Sequence, residues 1–314
     1  MKIDRSFLGL SHTPLLGLNS LQDGIEAEVR GTLGSVRETV LAWEPDRLVL
    51  VGPDHYNGFF NELMPPFCLG TEATAVGDYG TPAGALNVPA VEAEALAEWL
   101  MDHCIDVAIS RRMRVDHGFA QALEIIWEGL DTPPVLPLFM NSVAQPGIPR
   151  VRRCIQVGRV IGEWLDTLPG RTLVIGSGGL SHEPPVPTLN HPDPAVRERI
   201  TVRGPSTPAE RETKTQRVMA AGKALAAGDP TMKPLAPEWD ARWMKAVESG
   251  DLDDLAALGE ADITREAGLS AHESKTWVIA RAAMPQGVPM QADLRYYRAI
   301  PEYIAGFGAL LMHT

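Results

Sequence analysis

Residues 47–58, RLVLVGPDHYNG, decide how the chain is read. Leu48-Val49-Leu50-Val51 is a short apolar run entered from Pro45-Asp46, the pattern of a buried strand with both faces covered. Gly52-Pro53 stops it. Asp54, His55, Tyr56 and Asn57 follow before Gly58 allows another turn. Side chains able to bind a metal, a proton or a substrate oxygen therefore crowd one strand's C-terminal end, the edge where open α/β sheets bind ligands. A single strand-end histidine is more often a solvated turn residue, because loops are polar. Here the arrangement recurs: His12, His55, His117 and His182 all fall at expected strand ends or turns.

Outward from this strand, residues 3–10 form a first strand that ends in Ser11-His12-Thr13-Pro14. Residues 21–43 place Ile25, Val29, Leu33, Val36, Val40 and Leu41 near one helical face. Together they give a β-α-β unit, most simply with parallel strands. Residues 57–89, rich in Gly and Pro, read as a long functional excursion over the strand ends, with a hairpin in it. Residues 91–104 read as a helix and 106–110 as a short strand. A helix over 119–127 follows the turn Val115-Asp116-His117-Gly118, and 134–140 is a strand despite its proline. A helix over 148–168 leads to a strand at 171–175, which runs into Gly176-Ser177-Gly178-Gly179-Leu180-Ser181-His182. Residues 193–283 are mostly helical in pattern and 292–314 extended. The expected fold is α/β, one domain over 1–314: a central, largely parallel or mixed sheet flanked by helices, a site at the strand C-terminal ends, and a helical C-terminal half.

The 314 residues are 45% hydrophobic and 22% charged, enough to bury a substantial core. The formal net charge of -12 argues against nucleic acid and anionic membrane as partners. It also means that an anionic substrate needs a local cation. Cys68, Cys104 and Cys154 have no C-x-x-C spacing; they give no disulfide framework and read as buried thiols in a reducing compartment. The first residues, MKIDRSFLGLSHTP, are too charged for a signal peptide, and no stretch reaches the roughly 18 apolar residues of a membrane span. A cytoplasmic protein is expected.

Two histidines and one carboxylate on one face of a metal leave three octahedral positions open, which suits non-haem Fe(II) and oxygen chemistry. A substrate chelating through two oxygens fills two of them and dioxygen the third. Spacing alone does not select this reading, because His12 and His55 belong to no short metal motif. Glu273 also has a plain structural explanation: Ser270-Ala271-His272-Glu273 is a capping-box pattern. Ser177 lacks the glycine pattern of a nucleophile elbow, Gly176, Gly178 and Ser181 give only part of G-x-G-x-x-G, and P-loop and H-E-x-x-H motifs are absent.

Seven stretches together carry a resemblance: LSHTPL at 10–15, PDHYNGFF at 53–60, MPPFCLG at 64–70, VDHGFAQ at 115–121, GSGGLSHEPPVP at 176–187, HESKTW at 272–277 and RYYRAIPEYIAGFG at 295–308. In order and from end to end, they resemble the class III extradiol ring-cleavage dioxygenases. The resemblance implies one Fe(II) held by His12, His55 and Glu273, with His117 as proton donor and His182 as proton acceptor. It implies a catechol and O2 as substrates, with 3-(2,3-dihydroxyphenyl)propionate or 2,3-dihydroxycinnamate as the expected ring, and a homo-oligomeric enzyme of aromatic catabolism. The propionate carboxylate needs a cation. Arg295 and Arg298, set beside Tyr296 and Tyr297, are the expected anchors because arginine's planar fork pairs a carboxylate through two hydrogen bonds. Tyr56 is a further expected substrate contact. The alternatives are a relative acting on another catechol or an aminophenol, a non-catalytic binding protein on the same fold, and a zinc hydrolase.

Overall fold

A computed structural model describes residues 4–22, 24–202, 204 and 206–314. Its first strand is β1 (Asp4–Leu10), so Ile3 of the expected span lies outside the described residues; α1 (Ile25–Trp43) and β2 (Arg47–Gly52) follow. The excursion after β2 holds β3 (Phe67–Gly70), β4 (Ala73–Val76) and β5 (Ala83–Ala85), and leads to α2 (Ala90–Asp102). Then come β6 (Ala108–Ser110), β7 (Met113–Val115), α3 (His117–Trp127), β8 (Val135–Met140), α4 (Val151–Leu165) and β9 (Arg171–Ser177). The helical stretch comprises α5 (Pro194–Thr201), α6 (Pro208–Ala226), α7 (Pro237–Ser249), α8 (Asp253–Ala256), α9 (Glu260–Ala267) and α10 (Lys275–Ala282). A hairpin of β10 (Gln291–Ile300) and β11 (Ala305–His313) closes the chain.

The main sheet is mixed, in the order β10-β11-β1-β9-β2-β8-β3-β6. At its centre β1, β9, β2 and β8 run parallel, while β11 and β3 pair antiparallel at the two sides. The strands β1 and β2 are parallel as expected, but β9, from the second half of the chain, lies between them. Both faces of β2 are covered: Val49 and Val51 join one apolar layer, with α2, α4, α7 and α10, and Leu48 and Leu50 join the other, with α1 and α3. The proline in β8 is tolerated because the ladder to β3 includes Leu138 but not Pro137. The excursion does contain a hairpin, β4-β5, and β7 joins it in a second sheet. Cys68 and Cys154 are buried, and burial pushes both thiols up to about 12. Cys104 departs from the expectation: it is exposed, in a left-handed turn after α2.

The seat of α10 positions the site. Glycines on β1 and β9 leave space for it: a Cβ on Gly9 would lie 2.4 Å from the Trp277 ring, and one on Gly176 2.6 Å from the Thr276 backbone. Just past β9, a Cβ on Gly178 would meet the Glu273 carbonyl oxygen at 2.4 Å. The Trp277 indole N–H then bonds the Gly178 carbonyl at 3.0 Å, locking helix to strand end. The glycine-rich bend read from the sequence is thus a floor for the helix.

Gly176→Ala should overpack this seat and destabilise the fold by about 1–3 kcal/mol. Gly31→Ala, on an open stretch of α1 with nothing near its Cβ, should instead stabilise slightly, by up to about 1 kcal/mol. Denaturant unfolding of both variants checks the pair; equal behaviour would remove the close-packing argument.

Candidate active site

The parallel strands β1, β9 and β2 end at one edge of the sheet, and each is followed by a histidine: His12, His182 and His55. The fourth, His117, opens α3, where Asp116 is the N-cap and accepts from the Gly118 N–H at 2.9 Å. Glu273 arrives from the opposite direction, on the 3-10 turn Leu269–Ser274 that precedes α10. Gly268, not Ser270, caps that turn, and no side chain caps it. The capping-box reading of Glu273 is therefore corrected: its carboxylate faces the histidines.

That carboxylate is almost wholly buried. Its Oε1 lies 3.0 Å from His55 Nε2; its Oε2 lies 3.2 Å from His12 Nε2 and 3.4 Å from His182 Nε2. The Gly179 N–H donates to Oε2 at 3.3 Å. The His55 and His117 rings stack with centroids 4.4 Å apart, and the His12 ring stands edge-on to both at 5.6 and 5.3 Å.

Each ring is aimed by a partner on its outer nitrogen. His55 Nδ1 pairs with Asp116 Oδ2 at 3.1 Å, His117 Nδ1 with Asp78 Oδ2 at 2.7 Å, His182 Nδ1 with the Leu180 carbonyl at 2.8 Å and His12 Nδ1 with Ser177 Oγ at 3.0 Å. With Nδ1 turned outward, Nε2 is the nitrogen left to act at the centre. Asp116 also accepts from the His55 backbone N–H and Asn57 Nδ2, so it holds the PDHYNG turn as well as the ring. Asp54 accepts the N–H groups of Asn57, Gly58 and Phe59; burial and the nearby Asp116 push its carboxyl up to about 7. The motif's acidic residue thus builds the turn and is not a ligand.

Charge in the cluster is shared. Burial opposes ionisation of Glu273, but His182 and His12 outweigh it and hold the carboxyl well below the usual range. Burial likewise opposes charge on His55, yet Asp116 and Glu273 hold its pKa well above the ordinary imidazole value. The pKa of His182 is raised against its burial by Glu273. The one lowered is that of His12, chiefly by burial. Among the described residues its buried Nε2 has no hydrogen-bond partner, although Glu273 Oε2 lies 3.2 Å away. A neutral imidazole lone pair beside an ionised carboxylate is a donor set suited to a divalent metal.

Among the described residues, two groups of side chains are close enough to share an ion: His12, His55 and His117, and also Asp78, Asp116 and His117. The second is already committed, because its carboxylates accept the protein's own donors.

The cluster forms one end of a cavity of about 400 Å³. Phe60, Pro184, Val186, Ile200 and Val218 give it apolar walls, and Tyr56 and Tyr79 line it too. Tyr79 stands edge-on to His117, centroids 5.0 Å apart. Arg295 and Arg298 do not line it. They lie on the edge strand β10, exposed, and pair with Glu248 at 3.1 Å and Glu28 at 3.0 Å. Both are corrected here as substrate anchors, since neighbouring acids already neutralise them. Among the described residues, the cations that line the cavity beyond the histidines are Arg199, Lys214 and Arg217, on α5 and α6. Sequence reasoning passed over these and Asp78, which sits in the Gly-rich excursion with no local pattern to mark it.

The description "Catalytic LigB subunit of aromatic ring-opening dioxygenase" matches residues 6–308 of the chain. A Comamonas testosteroni protein named 2,3-dihydroxyphenylpropionate/2,3-dihydroxicinnamic acid 1,2-dioxygenase is 60% identical over 310 residues, covering 98% of this chain and 97% of its own. Proteins of the same name from Klebsiella pneumoniae (strain 342) and Escherichia coli O139:H28 are 47% identical over 306 residues, with 97% of each chain covered. No described helix is long and apolar enough to cross a membrane. With a match over nearly its whole length and relatives this similar, the chain belongs to the family of catalytic LigB subunits of aromatic ring-opening dioxygenases.

Proposed function

We propose that the protein opens the ring of 3-(2,3-dihydroxyphenyl)propionate and of 2,3-dihydroxycinnamate by extradiol cleavage, with Fe(II) held by His12, His55 and Glu273. The observation that carries this reading is the buried Glu273 carboxylate in contact with imidazole Nε2 atoms at the end of an aromatic-sized cavity. The side chains whose atoms converge most closely for an ion do not include Glu273, but it is the carboxylate that touches both His12 and His55, and among the described residues it accepts only the long contact from Gly179 besides the imidazoles. This ligand set leaves His117 and His182 for proton transfer. A single catalytic unit over 1–314, assembled as a cytoplasmic homo-oligomer, completes the proposal.

A bound Fe(II) would supply Lewis acidity toward the catechol hydroxyls and a path for electrons from ring to dioxygen. The protein's own residues do the rest. The apolar walls give the ring a surface to pack against. His182, its Nδ1 held by the Leu180 carbonyl, accepts a hydroxyl proton through Nε2. His117, its ring fixed by Asp78 through Nδ1, returns a proton through Nε2 to the oxygen that must leave as the ring expands. The net change breaks the carbon–carbon bond beside the diol and places both atoms of O2 in the product.

Protein loaded anaerobically with Fe(II) should consume one O2 per 3-(2,3-dihydroxyphenyl)propionate and give a yellow ring-opened product. Activity with bound zinc and no oxygen uptake would refute the proposal, and preference for an aminophenol would change the substrate.

His117→Ala and His182→Ala should keep their iron and lose about 10²- to 10⁴-fold in kcat. Metal analysis beside turnover checks this; iron lost with either ring would make that histidine a ligand.

A further inference from the structure

The cavity has a charged end opposite to what the whole chain carries. We propose that Lys214 and Arg217 form the subsite that binds the substrate's side-chain carboxylate, with Arg199 at its rim. This inference rests on the function proposed above and adds the residues that choose among catechols.

Four observations support it. First, the residues of α6 that line the cavity are Ala209, Glu210, Thr213, Lys214, Arg217 and Val218, spaced three and four apart, so one helical face looks into it. Second, Lys214 Nζ donates to the His55 carbonyl at 3.1 Å and sits 5.7 Å from the centre of the Tyr79 ring. Tyr79 in turn touches His117. The ammonium is thus beside the reacting end of the cavity, and among the described residues two of its three N–H donors have no partner. Third, the acid on the same face is occupied: Glu210 Oε2 accepts from the Thr207 N–H at 2.7 Å and from its hydroxyl at 2.9 Å, as part of the α6 capping box. Three cations against one committed carboxylate make this wall positive in a chain of formal charge -12. Fourth, neither Arg199 nor Arg217 has an ion-pair partner among the described residues, unlike Arg295 and Arg298.

A catechol seated against the histidines with its neighbouring propionate directed to α6 would meet this wall. A ring with a methyl group in the same place would gain nothing from it. The two kinds of charge divide the work: the lysine is a point charge near the ring, and the arginine fork can take both carboxylate oxygens.

The test uses Fe(II)-loaded protein with Arg217→Met, Lys214→Met and, for comparison, Arg295→Met. The ratio of kcat/KM for 3-(2,3-dihydroxyphenyl)propionate to that for 3-methylcatechol should fall about ten- to a hundredfold in the first two and stay unchanged in the third. Calorimetric binding of 3-phenylpropionate, which carries the carboxylate without the hydroxyls, should weaken by a similar factor. If the wild-type protein opens neither catechol, the proposed function fails, and the 3-phenylpropionate titration still decides the subsite. An unchanged ratio with unchanged 3-phenylpropionate binding in both α6 variants would overturn it, as would a wild-type protein that does not bind 3-phenylpropionate.

Discussion

A carboxylate buried to this degree must be paid for by positive charge. The penalty for desolvating one ion is several kcal/mol, and an uncompensated Glu273 would either protonate or unfold its surroundings. The compensation comes from His55 and His182, whose pKa values are raised and whose Nε2 atoms lie 3.0 and 3.4 Å from its oxygens, while the neutral His12 presents its Nε2 at 3.2 Å. This one requirement ties the first, second and ninth strands to the helix that follows Glu273. It also explains the outer ring of acceptors. Each imidazole must turn its Nε2 inward, so each Nδ1 needs a partner behind it: Ser177, Asp116 and the Leu180 carbonyl.

The backbone meets the same requirement in a different way. Glu273 can reach the strand ends only if its helix approaches the sheet closely, and glycines at 9, 176 and 178 permit that approach. The hydrogen bond from Trp277 to the Gly178 carbonyl then fixes the height of the helix over the sheet. The α6 face adds Lys214 and Arg217 to the cavity lining, with Lys214 bonded to the His55 backbone carbonyl. On the proposed reading, the histidine cluster handles the diol and the α6 face the substituent.

Much of this was legible in the sequence, and the reason is local. Apolar runs stopped by Gly or Pro marked the strand ends, and histidines followed within a few residues. The insertion of β9 between β1 and β2 was not legible, because nothing in a strand's own residues names its neighbour. Glu273 was ambiguous for a related reason: the letters of a capping box and of a ligand-bearing turn are the same, and only the tertiary position separates them. The carboxylate anchor was sought on physical grounds that still hold, but among residues that do not line the cavity. Arg295 and Arg298 stood out because aromatic rings lie beside them in sequence, yet β10 is an edge strand and its arginines pair with Glu248 and Glu28. Lys214 and Arg217 lie on a helix that reads as polar almost all round, so nothing local distinguishes its cavity face from a solvated one.

The account stands on Glu273 serving, with His12 and His55, as the seat of the metal. Anomalous diffraction at the iron edge, on crystals loaded anaerobically with Fe(II), tests this most directly. A single strong peak in contact with His12 Nε2, His55 Nε2 and a Glu273 oxygen, with His117 and His182 outside contact, is the predicted result. A peak bound by His117 in place of Glu273, or one between Asp78, Asp116 and His117, would contradict it.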